Sequence, residues 1–122
     1  MFKTMCVAVV ASFALLAGTT GVAQADPTVG RFARIDVAPA HGTVAWNMTF
    51  RGNETTRIRI SGDGDTCLEL RVYNQFGKLV ISDTVGFGDD RGVLVFPFKT
   101  AEYKIEVRNI GRVPNRFAIV VD

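Results

Sequence analysis

Short runs that alternate apolar and polar positions recur along the chain, separated by clusters of Gly, Asn and Asp. Phe32-Ala33-Arg34-Ile35-Asp36-Val37 alternates, and Pro39-Ala40-His41-Gly42 closes it. Thr43 to Phe50 alternates too, with Val44, Trp46, Met48 and Phe50 on one face because residues two apart share a side of a strand. Thr56-Arg57-Ile58-Arg59-Ile60 turns its aliphatics one way and both Arg the other. In Thr66 to Tyr73, Leu68, Leu70 and Val72 form the apolar face. Asn74-Gln75-Phe76-Gly77 reads as a tight hairpin, with Gly77 at a position that needs positive φ, and Lys78 to Ser82 returns from it. Three further runs, 93–98, 103–108 and 117–121, complete the pattern, and Pro97 marks an edge or a strand end. No stretch keeps a helical period. About eight strands at roughly 8–12-residue spacing predict an all-β fold, a single antiparallel β-sandwich of jelly-roll or other Greek-key type.

The pattern breaks at the N-terminus. Lys3 precedes an apolar run from Met5 to Ala17, with Ser12 its one polar residue, and a polar stretch ends in Ala23-Gln24-Ala25. That order is a Sec-type signal peptide over residues 1–25, cleaved before Asp26, because the run is shorter than the ~20 apolar residues of a spanning helix. Thr19 follows Leu16-Ala17-Gly18 where a lipoprotein would carry Cys, so no lipobox is present. Residues 26–122 are then one secreted or periplasmic domain.

Composition narrows the function. Of the residues 48% are hydrophobic and 21% charged, too apolar for a disordered chain. The formal net charge of +2 offers no broad basic surface for nucleic acid or an anionic membrane. One His and two Cys leave little material for a nucleophile or metal constellation. Cys6 leaves with the signal, so Cys67 is alone in the mature chain. It is either a small apolar residue in a strand or the donor of an intermolecular disulfide. No nucleophile elbow, zinc-protease motif or phosphate loop occurs, so the chain is read as a non-enzyme. A hydrolase pairing Asp65 with Glu69 is the weakest alternative.

Three groups of residues are candidates for binding. Asp63, Asp65, Asp83, Asp89 and Asp90 lie in two Asp/Gly loops. If both loops share one end of the sandwich, their oxygens suit calcium, which takes six to eight; equally, Asp and Gly are what turns require. Arg57, Arg59 and Arg71 point outward and suit carboxylates on a partner, or pair with Glu69 and Glu106 across strands. Phe76 and Phe87 sit in loops and are surface candidates, unless Phe76 folds back on the sheet. Trp46 reads as core.

The stretch from Gly62 to Val80, an acidic Gly loop followed by Leu68-Glu69-Leu70-Arg71-Val72-Tyr73 and a Gly-bearing hairpin, resembles the bacterial pre-peptidase C-terminal domain. Ala101-Glu102-Tyr103-Lys104-Ile105-Glu106-Val107-Arg108-Asn109 is similar to that family's closing strand. The resemblance covers about residues 42–121. It implies a jelly-roll sandwich that is not catalytic, often accessory to secreted peptidases, with collagen- or polysaccharide-binding and calcium-binding members. Cys67 and Glu69 stand where that family often has Asp, and Ala101 where it has Gly. The expected function is a secreted, non-catalytic module recognising a protein or polysaccharide. The alternative is a structural envelope protein acting by self-association.

Overall fold

The computed structural model describes Val22–Gln24 and residues 32–122. The expected signal peptide, residues 1–25, lies outside these apart from the short strand β1 (Val22–Gln24), which runs parallel to β3. Eight antiparallel strands follow: β2 (Phe32–Ala38), β3 (Thr43–Phe50), β4 (Thr56–Ser61), β5 (Leu68–Tyr73), β6 (Leu79–Asp83), β7 (Asp90–Val95), β8 (Ala101–Asn109) and β9 (Asn115–Val121). They form two sheets, ordered β1-β3-β8-β5-β6 and β2-β9-β4-β7. The all-β sandwich read from periodicity is the observed fold. From β2 onward, only the β5–β6 hairpin connects neighbours in one sheet; every other connection crosses to the other sheet. Gly77, in that hairpin, has φ 80°, and Asn74 Oδ1 accepts the Phe76 and Lys78 N–H groups.

The core lies between the sheets. Trp46 is 1% exposed and meets Phe117 edge to face, with centroids 6.0 Å apart. Its Nε1 finds no acceptor among the described residues. Ile58, Leu68, Leu70, Val72, Ile105, Val107 and Ile119 fill the rest. At about 25 cal/mol per Å² of buried apolar area, these side chains supply most of the drive to fold.

Two expectations shift. The strand read over 93–98 runs instead over Asp90–Val95, because Pro97 has no N–H to add to a ladder and the chain leaves the sheet before it. More consequentially, the phase of β2 is inverted relative to its polarity. Ile35 and Val37 are 63% and 46% exposed, while Arg34 and Asp36 share the core-side face with Phe32 and Ala38. Ala38 is fully buried and Phe32 packs on the core, so the two ends of the strand set its phase.

Candidate functional site

The strand directions gather the loops into two groups. Residues 39–42, 62–67, 84–89 and 110–114 lie at one end of the sandwich, and 51–55, 74–78 and 96–100 at the other. All five candidate Asp therefore sit at one end, as calcium ligation requires. The same geometry puts Phe87 at that end and Phe76 at the opposite one. Both rings are exposed, so they do not form one aromatic platform.

The acidic side chains are engaged with neighbouring groups. Asp63 accepts the Asp65 and Arg116 N–H groups. Asp89 Oδ2 accepts the Gly64 N–H at 2.6 Å and the Asn115 amide at 3.0 Å. Asp83 receives the Gly92 N–H and pairs with Arg91 at 3.2 Å. Asp90 accepts the Ser61 hydroxyl, and the Asp65 side chain stands exposed at the tip of its loop. Among the described residues, no three His, Cys, Asp or Glu gather into a group able to hold a metal ion. A Cβ on Gly62 would fall 2.6 Å from Asn115 Oδ1 and nearer still to the Asp89 carboxylate, so this approach of loops requires glycine.

Beneath the acidic loops lies a buried polar network that periodicity did not reveal. Asn109, fully buried, accepts the Thr66 hydroxyl and the Gly111 N–H and donates to the Ala38 and Val113 carbonyls. Asn115, also fully buried, accepts the Asp63 N–H and donates to Thr66 and Asp89. Arg91 is the buried cation of the described residues, and it donates to the Leu68, Val85 and Gly86 carbonyls. Buried polar groups are tolerated when fully hydrogen-bonded, and such a network fixes its loops rigidly. The one sequence signal was the crowding of Asn, Asp and Gly at strand ends. Cys67 is 2% exposed, and its Sγ accepts the Gly88 N–H at 3.1 Å. It is not a free thiol.

The candidate Arg residues separate onto opposite faces. Arg71 is on β5, in a face where charges are matched. It lies 2.8 Å from Glu69, a close ion pair poorly aligned as a hydrogen bond, and beside Glu106 in the ladder. Lys104 pairs with Glu106 and covers the Tyr73 ring. The Tyr73 pKa is raised above its ordinary value, first by burial and then by the Glu106 charge. Arg57 and Arg59 are on β4, on the outside of the other sheet, with the exposed Leu94 of β7 opposite Arg57 and the exposed Ile35 and Val37 of β2 across β9. Arg57 reaches Asp122 at 3.8 Å, whereas Arg59 and Arg116 have no ion-pair partner among the described residues.

No protein-family model matches the sequence, and no curated protein matches it either. Solved structures do. The chain is similar to the pre-peptidase C-terminal domain of a collagenase from Bacillus anthracis, with a TM-score of 0.59 and 7% identity over 84% of this chain and 95% of that one. It is also similar to PliG of Aeromonas hydrophila, a periplasmic inhibitor of g-type lysozyme, with a TM-score of 0.54 and 11% identity over 83% and 97% of the two chains. The resemblance drawn from the Gly62–Val80 stretch thus holds at the level of the fold.

Proposed function

We propose that the protein is a secreted, non-catalytic β-sandwich module that works in the periplasm or outside the cell and recognises a protein or a polysaccharide. Residues 1–25 act as its signal peptide and 26–122 as the working domain. The observation that carries this reading is the outward face of the β2-β9-β4-β7 sheet. There Arg57 stands opposite the exposed Leu94 of β7, Phe96 lies exposed just past that strand, and Ile35 and Val37 lie exposed on β2, on the far side of β9 from Arg57 and Arg59. Exposed apolar side chains on a sheet face mark interaction sites, and Arg beside an apolar group is a common anchor of protein recognition. The fold it shares with a lysozyme inhibitor supports a protein as the first ligand class to test.

The test compares the wild type with an Arg57→Glu, Arg59→Glu double variant. Both are used as bait in native culture fluid and on polysaccharide arrays, with g-type lysozyme included as one soluble probe. A protein retained by the wild type and lost by the variant is the expected result. Flat polysaccharide binding together with identical protein recovery by the two baits would overturn the reading.

A further inference from the structure

β2 ends its sheet, and among the described residues nothing pairs with its outer edge. The backbone groups it leaves open follow from the β9 ladder. Arg57 and Asp122 exchange both N–H···O bonds, and the Arg116 N–H goes to Asp63, so the even-numbered residues of β9 direct their backbone toward the β4 side. Their partners in β2 are Val37, Ile35 and Ala33, opposite Arg116, Ala118 and Val120. In an antiparallel ladder such pairs are not hydrogen-bonded to each other, so Ala33, Ile35 and Val37 point their N–H and C=O groups at the free edge. The Val37 N–H confirms the direction, since it finds an acceptor only in its own neighbour, Asp36 Oδ1, at 2.8 Å.

The side chains along this edge are complementary about Ile35. Counting outward from Ile35, Arg34 is matched by Asp36, and Ala33 by Val37. The geometry points to a two-fold dimer in which β2 pairs antiparallel with β2 of a second copy, centred on Ile35. The Ile35 residues then exchange both of their backbone bonds. Ala33 and the partner's Val37 do the same on either side. Arg34 comes opposite the partner's Asp36, and Asp36 opposite the partner's Arg34, at the closely spaced positions where side chains approach best.

Charge argues for this occupant over another chain. A charged residue on the core side of an edge strand ordinarily blocks edge pairing. Here two such residues of opposite sign stand two apart, half-exposed, and 4.0 Å from each other. A two-fold axis midway between them turns the block into two matched pairs, and a C2 interface is self-complementary in just this way. The exposed Ile35 and Val37 gain cover from the partner's Ile35 and Ala33. Ile35 and Val37 are 63% and 46% exposed in the single chain. The seam covers Ile35 and Val37 of the proposed recognition face and leaves Arg57, Arg59, Leu94 and Phe96 open, and its test reads association of the chain with itself, apart from capture of any other partner.

The experiment is sedimentation equilibrium of the purified protein over a wide concentration range. The wild type is expected to show a reversible monomer–dimer equilibrium. Arg34→Asp makes both facing pairs acidic, and Asp36→Arg makes both basic. Each variant alone is expected to dimerise about tenfold more weakly or worse, and a mixture of the two to recover a one-to-one heterodimer. Ile35→Glu changes an exposed side chain on the axis, so it is expected to be monomeric with its melting temperature unchanged. It serves if either charge variant fails to fold, as circular dichroism would show. A wild type that stays monomeric at every concentration, Ile35→Glu that dimerises as the wild type does, or two folded charge variants that fail to associate when mixed would each overturn the assignment.

Discussion

The two ends of the sandwich are built differently. At the end carrying the acidic loops, four connections are tied to one another through the buried side chains of Asn109, Asn115 and Arg91. At the other end no buried side chain among the described residues joins the turns: Asn74 caps its own hairpin, while Gly52 N–H donates to the Thr100 hydroxyl and Asn53 N–H to the Pro97 carbonyl. The first end is rigid by shared hydrogen bonding, so damage at one residue spreads to several loops. At the second end damage stays local. Exposed aromatics cap both ends, Phe87 on the rigid one and Phe76 and Phe98 on the other. The difference therefore concerns what stands beneath the tips and not the tips themselves.

The largest test of this contrast is Asn109→Ala. It strands the Thr66 hydroxyl, the Gly111 N–H and two carbonyls in a dry site, and is expected to cost about 3 kcal/mol, a fall in Tm of roughly 12 °C or more. A fall under half that size would show that the network is not cooperative. Arg91→Met keeps the length of the stem but drops the clip on the 84–89 loop. A loss of about 2 kcal/mol is expected, with faster amide exchange at Gly88 and Leu68, which pair through N–H groups to Cys67 Sγ and Gly88 O. On the other end Asn74→Ala is expected to cost only about 1 kcal/mol and to leave exchange at the acidic end unchanged, because its two bonds are local.

How much of this was legible in the chain follows from what periodicity reports. Alternation found the strands because inward residues such as Leu68, Leu70 and Val72 must be apolar. Turn chemistry found the hairpin because only Gly77 tolerates its φ. Phase failed at β2, where an edge strand half out of the core lets Arg34 and Asp36 sit on the inner side. The Asp-bearing loops were read from turn chemistry, and whether they share one end was left to the topology, which puts them together. The partners of the Asp residues were not legible, because Asn109 and Asn115 are buried by long-range pairing, which no local pattern records. The Arg residues were recognised as outward-facing, but which sheet each strand joins is a matter of topology. That alone separated Arg71 from Arg57 and Arg59.

Two smaller measurements sharpen the contrast further. Tyr73 lies on the charge-matched outer face, and its raised pKa means the fold prefers the neutral phenol. The stability this contributes is present below the ordinary pKa of 10.0 and is lost as pH rises through the folded value. Tyr73→Phe is expected to lose less stability than the wild type between neutral and strongly alkaline pH; parallel curves would show that the Tyr73–Glu106 contact contributes nothing. Last, melting in excess calcium and in chelator addresses the acidic end directly. Since the carboxylates of Asp63, Asp83 and Asp89 are already engaged by N–H groups and by Arg91, we expect almost no shift. A rise of about 10 °C would instead make calcium part of that end's architecture.

The order of the strands carries a kinetic consequence. Since β5 and β6 are the consecutive strands that pair, every other ladder joins segments far apart in the chain. Such a topology must close large loops before most of its contacts form, and folding on the scale of milliseconds to seconds is expected. The β5–β6 hairpin is the natural place for structure to begin, while β2 and β9, which close one edge, must wait for nearly the whole length of the domain. A chain that cannot finish folding until its last strand emerges stays open and threadable for longer, as the proposed export through a signal peptide would require.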